Sequence, residues 1–71
     1  MQRIKVSSSD LDSVGYDEIA RVLEVAFLRG GVYQFFDVPA RVYKELMTAP
    51  SHGIYFDRNI KKAGYRYKKV S

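Results

Sequence analysis

Tandem glycines at Gly30-Gly31 join two runs of β character, and this hairpin constrains the fold more than any other feature of the chain. From Arg21 to Leu28 the sequence alternates, with Leu23, Val25 and Phe27 on one side and Val22, Glu24, Ala26 and Leu28 on the other. Branched and aromatic side chains at a period of two mark a strand packed in a sheet. Paired glycines accept the positive φ of a tight turn, so Arg29-Gly30-Gly31 reverses the chain and Val32 to Val38 returns beside the first run. A further short strand is expected from Leu11 to Tyr16, ahead of a turn at Asp17-Glu18.

Prolines punctuate the second half of the chain. Pro39 has no N–H for a sheet ladder and suits the first position of a helix. From Ala40 to Ala49 the spacing of Val42, Tyr43, Leu46 and Met47 gives one apolar stripe of a helix, which Pro50 stops. Ser51 is placed to cap a second short helix carrying Ile54, Phe56 and Ile60, and Gly64 to end it. Tyr65-Arg66-Tyr67-Lys68 alternates again and permits a final edge strand. The expected fold class is therefore α+β. Its architecture is a three-stranded antiparallel meander followed by two short helices packed on one face, with an optional last strand.

A chain of 71 residues makes one domain with little interior, so its core must draw on its ten Phe and Tyr rings. Residues 1–10 are polar and serine-rich, and read as a flexible N-terminal segment ahead of a single domain over 11–71. The sequence has no cysteine, which excludes disulfides and thiolate metal sites. No apolar run nears the ~20 residues of a membrane-spanning helix, and Met1 to Ser9 lacks the apolar block of a secretory signal. No membrane role is expected, and the expected location is the cytoplasm.

Charge placement points to a partner. All eight acidic residues lie at or before Asp57, whereas Arg58, Lys61, Lys62, Arg66, Lys68 and Lys69 supply half of the twelve Lys and Arg side chains. This basic C-terminal end suits an anionic partner, and equally suits a solvated surface that keeps a small protein apart from its copies.

The run Leu23-x-Val25-x-Phe27, then Gly30-Gly31, then Tyr33-x-Phe35-x-x-Val38-Pro39 resembles the KTSC domain, a family named for its occurrence at the C-terminus of some lysyl-tRNA synthetases. Tyr43, Leu46, Ala49, Ser51, Gly53, Phe56 and Ile60 continue the resemblance, which spans roughly Ser13 to Tyr67. The family's Tyr-x-Tyr stands here as Tyr33-x-Phe35, with one hydroxyl lost. The resemblance implies the fold above. Through the synthetase context it implies RNA as a partner, and stand-alone copies are similar to small bacterial and phage-encoded proteins.

Tyr33 and Phe35 share one side of their strand, and the length of the turn decides which. A two-residue turn groups Leu23, Val25 and Phe27 with Val32, Phe36 and Val38 in the core. Tyr33 and Phe35 then lie on an open face, where they would stack unpaired bases. A three-residue turn instead gathers Leu23, Val25, Phe27, Tyr33 and Phe35 into the core and exposes Phe36. Arg29-Gly30-Gly31 also spells a single RGG unit, although a hairpin accounts for it fully.

The expected nucleic-acid-binding set is Arg58, Lys61, Lys62, Arg66, Lys68, Lys69, Tyr33 and Phe35. Its cations would track a phosphate backbone and release counterions. Catalysis is not expected. His52 is the only histidine, and Ser51 beside it is explained as a cap. No carboxylate cluster has metal-ligand spacing, so neither metal nor cofactor is expected. Two functional readings are open. One is a non-catalytic module for RNA or single-stranded nucleic acid. The other is a protein-interaction or homodimerising accessory protein, of phage origin in one version. Ten rings in so short a chain motivate the second.

Overall fold

The computed structural model describes all residues, 1–71, as one antiparallel sheet with helices on one side. Strands β1 (Ile4–Lys5), β2 (Leu11–Asp17), β3 (Val22–Phe27) and β4 (Val32–Phe35) precede helices α1 (Ala40–Thr48) and α2 (His52–Phe56). A π-helical turn, Asp57–Lys61, continues α2, and β5 (Tyr67–Lys69) closes the chain. The strands lie in chain order, β1-β2-β3-β4-β5, so the meander has five strands where three and an optional fourth were expected.

The β3–β4 hairpin settles the turn. Ala26 opposes Val32 and Val25 opposes Tyr33. Phe27 N–H donates to Gly31 C=O at 3.1 Å, and Gly30 N–H donates to Phe27 C=O at 2.9 Å. The loop is thus Leu28, Arg29 and Gly30, with Gly30 at φ 107° and Gly31 at φ 92°. This is the three-residue turn, in which two consecutive glycines carry the left-handed backbone. Leu23, Val25, Phe27, Tyr33 and Phe35 share the helix-facing side. The open aromatic face that a two-residue turn would have produced does not form, and Phe35 is only 5% exposed.

The core joins this sheet face to the helices. Leu11, Val14, Leu23, Val25 and Phe35 pack with Val38, Val42, Leu46, Phe56 and Ile60. The α1 stripe is as expected, with Val42 and Leu46 buried and Tyr43 and Met47 packed at its margin. Pro39 sits one residue ahead of the helix, in extended conformation, and its C=O accepts from Val42 N–H at 3.0 Å. Ser51 Oγ caps α2 by accepting from Ile54 N–H at 3.2 Å. Tyr55 ties α2 back to α1 through a 2.6 Å bond to Glu45. Burial, then the Glu45 carboxylate, pushes the Tyr55 phenol up to about 12.

The opposite sheet face is polar and closed. Glu24, only 7% exposed, accepts from Arg3 Nη1 at 2.5 Å and from Gln34 Nε2 at 2.9 Å, while Arg3 Nε donates to Ser13 Oγ at 3.1 Å. The first residues therefore do not stay a loop. Ile4 and Lys5 pair with Val14 and Ser13, and the chain ahead of them crosses over Gly15. A Cβ at Gly15 would lie 2.5 Å from Gln2 C=O, so only glycine admits this crossing. Gly15→Val is expected to lift residues 1–5 off the sheet at a cost of about 1 kcal/mol. Amide exchange should then accelerate at Ile4 and Lys5 and stay slow in β3, and unchanged exchange at β1 would contradict this account.

Candidate nucleic-acid interface

A cleft of about 570 Å³ opens beside β4 and β5, under the π-helical turn. Phe27, Tyr33, Phe35, Phe56 and Tyr67 line it with rings, and Arg29, Lys61, Asp10 and Asp57 bring charge to it. The hairpin register builds the aromatic wall. Phe27 and Tyr33 meet edge-on at 5.7 Å between centroids, while Tyr67 lies tilted against Tyr33 at 6.2 Å and against Phe35 at 5.7 Å. Tyr67 opposes Phe35 in the β4–β5 ladder but lies at the sheet edge, so it remains 64% exposed. Phe35 and Phe56 are buried beneath, and Tyr33 is half-buried between. Tyr67 offers the most open ring, and Tyr33 and Phe27, both half-buried, offer their rims.

The π-helical turn supplies the other wall. Lys62 N–H reaches back five residues to Asp57 C=O at 3.2 Å, which widens the turn and ends α2. Such widened turns recur at functional sites. This one places both Asp57 and Lys61 on the cleft.

The cations expected to form one surface are divided by the structure. Lys62 is paired with Asp57 at 3.2 Å and Arg66 with Asp37 at 3.1 Å. The Arg66 guanidinium also lies 5.6 Å from the centre of the Phe36 ring. Lys68 opposes Gln34 on the polar sheet face, while Lys69 opposes Tyr33 on the cleft side. Successive strand residues point to opposite faces, so adjacent lysines cannot serve one patch. Arg58 is exposed on the π-helical turn but does not line the cleft. Of the expected set, Tyr33, Phe35 and Lys61 meet at the cleft, with the Lys69 stem beside them, its Cε 3.5 Å from where a Gly31 Cβ would stand.

Sequence reasoning missed Arg29, Asp10, Asp57 and Tyr67 as members of this site. Arg29 had a signal in its position at the tip of the hairpin. Asp10 had none, because it reaches the cleft only through the long-range bond from Leu28 N–H to its C=O, 2.9 Å.

Comparison with known proteins places the whole fold. The chain is 39% identical over 70 residues to an uncharacterised protein of Stutzerimonas stutzeri, covering 99% of each. It is 35% identical over 68 residues to a lysine–tRNA ligase of Trichormus variabilis, matching 96% of this chain but 12% of the ligase. A crystal structure of a KTSC domain protein from Yersinia pestis superposes with a TM-score of 0.93 at 41% identity, covering 99% of this chain and 97% of that one. The KTSC family pattern matches residues 7–67. Sequence pattern, five-stranded meander and helices agree, and this chain belongs to the KTSC domain family.

Proposed function

We propose that this chain is a non-catalytic module that binds single-stranded nucleic acid, RNA foremost, in the cleft beside β4 and β5. The observation that carries the reading is the joint presence of an exposed tyrosine face at Tyr67 and three cations, Arg29, Lys61 and Lys69, none of them in an ion pair. Stacking on a ring serves any base, and cations at the rim hold the phosphates on either side. The net charge of +4 supports the same reading. So does the sequence likeness to a segment of a lysine–tRNA ligase, an enzyme whose substrate is an RNA. No helix is long and apolar enough to cross a membrane, and a cytoplasmic location accords with a cysteine-free chain.

Titration of a dye-labelled uridine-rich RNA across salt concentrations tests the reading. Three neutralised phosphates give a log–log slope near about −2 on a single strand. Replacing Arg29, Lys61 and Lys69 together by Gln should flatten that slope and weaken binding by roughly tenfold or more. Tyr67→Ala should cost about 1–3 kcal/mol of binding, the worth of one stacked base, with folding intact because the ring is mostly exposed. Absence of binding at low salt would remove the reading.

A second reading has its own observation at the other end of the molecule. Ile19 is 97% exposed, and Met1 and Ile4 are also largely exposed, close to the stacked Tyr16–Tyr43 pair. An apolar surface of this kind suits association with a protein or with a second copy. Sedimentation that shows one copy per particle at high concentration would count against the homodimer.

A further inference from the structure

We infer that the cleft selects guanine, with the Asp10 carboxylate reading the base; the inference rests on the nucleic-acid reading above. The rim of the cleft carries charge of both signs. A site built only to hold phosphate gains nothing from carboxylates, which repel it, yet Asp10 and Asp57 line the cleft together with Arg29 and Lys61. Asp57 is already engaged by Lys62 at 3.2 Å. The Asp10 carboxylate is exposed and enters none of the five ion pairs.

The Asp10 backbone is nonetheless firmly placed. Its N–H donates to Ser8 Oγ at 3.1 Å, and its C=O accepts from Leu28 N–H at 2.9 Å, at the hairpin loop beside Arg29. The side chain packs alongside Gly53, where a Cβ would lie 3.5 Å from Asp10 Cβ. A carboxylate without a partner, on a backbone held at two points, thus stands at the edge of an aromatic surface.

An ionised carboxylate only accepts hydrogen bonds. Guanine alone among the four RNA bases presents two neighbouring N–H donors on its Watson–Crick edge, at N1 and N2. The two oxygens of one carboxylate can take both, as they take the paired donors of an arginine. Adenine and cytosine set their amine beside a ring nitrogen whose lone pair repels the carboxylate. Uracil flanks its single N–H with two carbonyl oxygens that do the same. Tyr67 then supplies stacking to any base, Arg29 and Lys61 hold phosphate, and Asp10 discriminates.

The test is titration of the full-length isotope-labelled chain with a short uridine strand, followed by NMR. Parallel strands carry guanosine, adenosine, cytidine or inosine at one central position. The guanosine strand should bind roughly ten- to a hundredfold more tightly than the all-uridine strand. Inosine, which lacks the N2 amine, should lose most of that advantage. Asp10→Asn should erase the guanosine preference, and the unperturbed spectrum of the variant would show that it folds. Equal affinity for every strand, with shifts confined to the cleft, overturns the guanine inference and leaves the nucleic-acid reading standing. A guanosine preference that survives in Asp10→Asn overturns the role of Asp10. Absence of cleft shifts with every strand removes both.

Discussion

Phe35→Ala is expected to bring the protein to the edge of unfolding at 25 °C. Phe35 is 5% exposed, contacts Phe56 edge-on at 5.4 Å, and belongs to the buried cluster between sheet and helices. Removing such a ring costs about 3–5 kcal/mol. A small domain has only about 5 kcal/mol or little more to lose. Urea titration followed by circular dichroism should show the midpoint collapse toward zero denaturant. The result bears on function as well, because loss of RNA binding in this variant would report unfolding. Tyr67→Ala is the clean probe of stacking. A Phe35→Ala protein with unchanged stability would mean that the register of the hairpin is not the one described.

The second large effect concerns the polar side of the sheet. Glu24→Ala leaves the Gln34 amide and the Arg3 guanidinium without their shared acceptor, and should cost about 1–3 kcal/mol. Acid should produce a related loss in the unaltered chain. The hydrogen bond from Gln34 first, then the bond and charge of Arg3, holds the Glu24 carboxyl below its ordinary 4.5, against the opposing pull of burial. A carboxyl lowered by folding stabilises fully above its unfolded value and loses that contribution as pH falls through the folded one. The gap in melting temperature between the unaltered protein and Glu24→Gln should therefore be constant from neutral pH down to about 5 and shrink below 4.5. A gap that is unchanged at pH near 3 would show that Glu24 contributes nothing through its charge.

The parts of the fold legible in the sequence are those set by local chemistry. Alternation over Val22–Phe27, the glycine pair, the two prolines and the Ser51 cap each fix a conformation within a few residues. The α1 stripe is legible for the same reason. β1 was not legible, because Ile4–Lys5 is a strand only through what lies across from it: the bare backbone of Gly15 and the Arg3–Glu24 pair, twenty-one positions apart. The turn length was ambiguous on principle, since Gly30-Gly31 can serve either two or three residues. Only the three-residue turn puts the three aromatic side chains Phe27, Tyr33 and Phe35 on one face. The candidate site was half legible. Its rings and Lys61 come from runs already singled out, but a run of cations in sequence says little about neighbours in space. On β5 the pleat sends Lys68 and Lys69 apart, and Asp37 and Asp57 neutralise two of the others.

Both margins of the sheet are short and carry lysine, Lys5 on β1 and Lys68 and Lys69 on β5. Main-chain groups on an outermost strand invite another copy to add on, and like charge along that strand discourages it. The ammonium groups at the C-terminal margin thus act as a guard against fibril-like stacking of this small domain. Whatever neutralises them, whether a polyanion laid along the margin or acetylation of the lysines, would also lower that guard and let copies approach side by side.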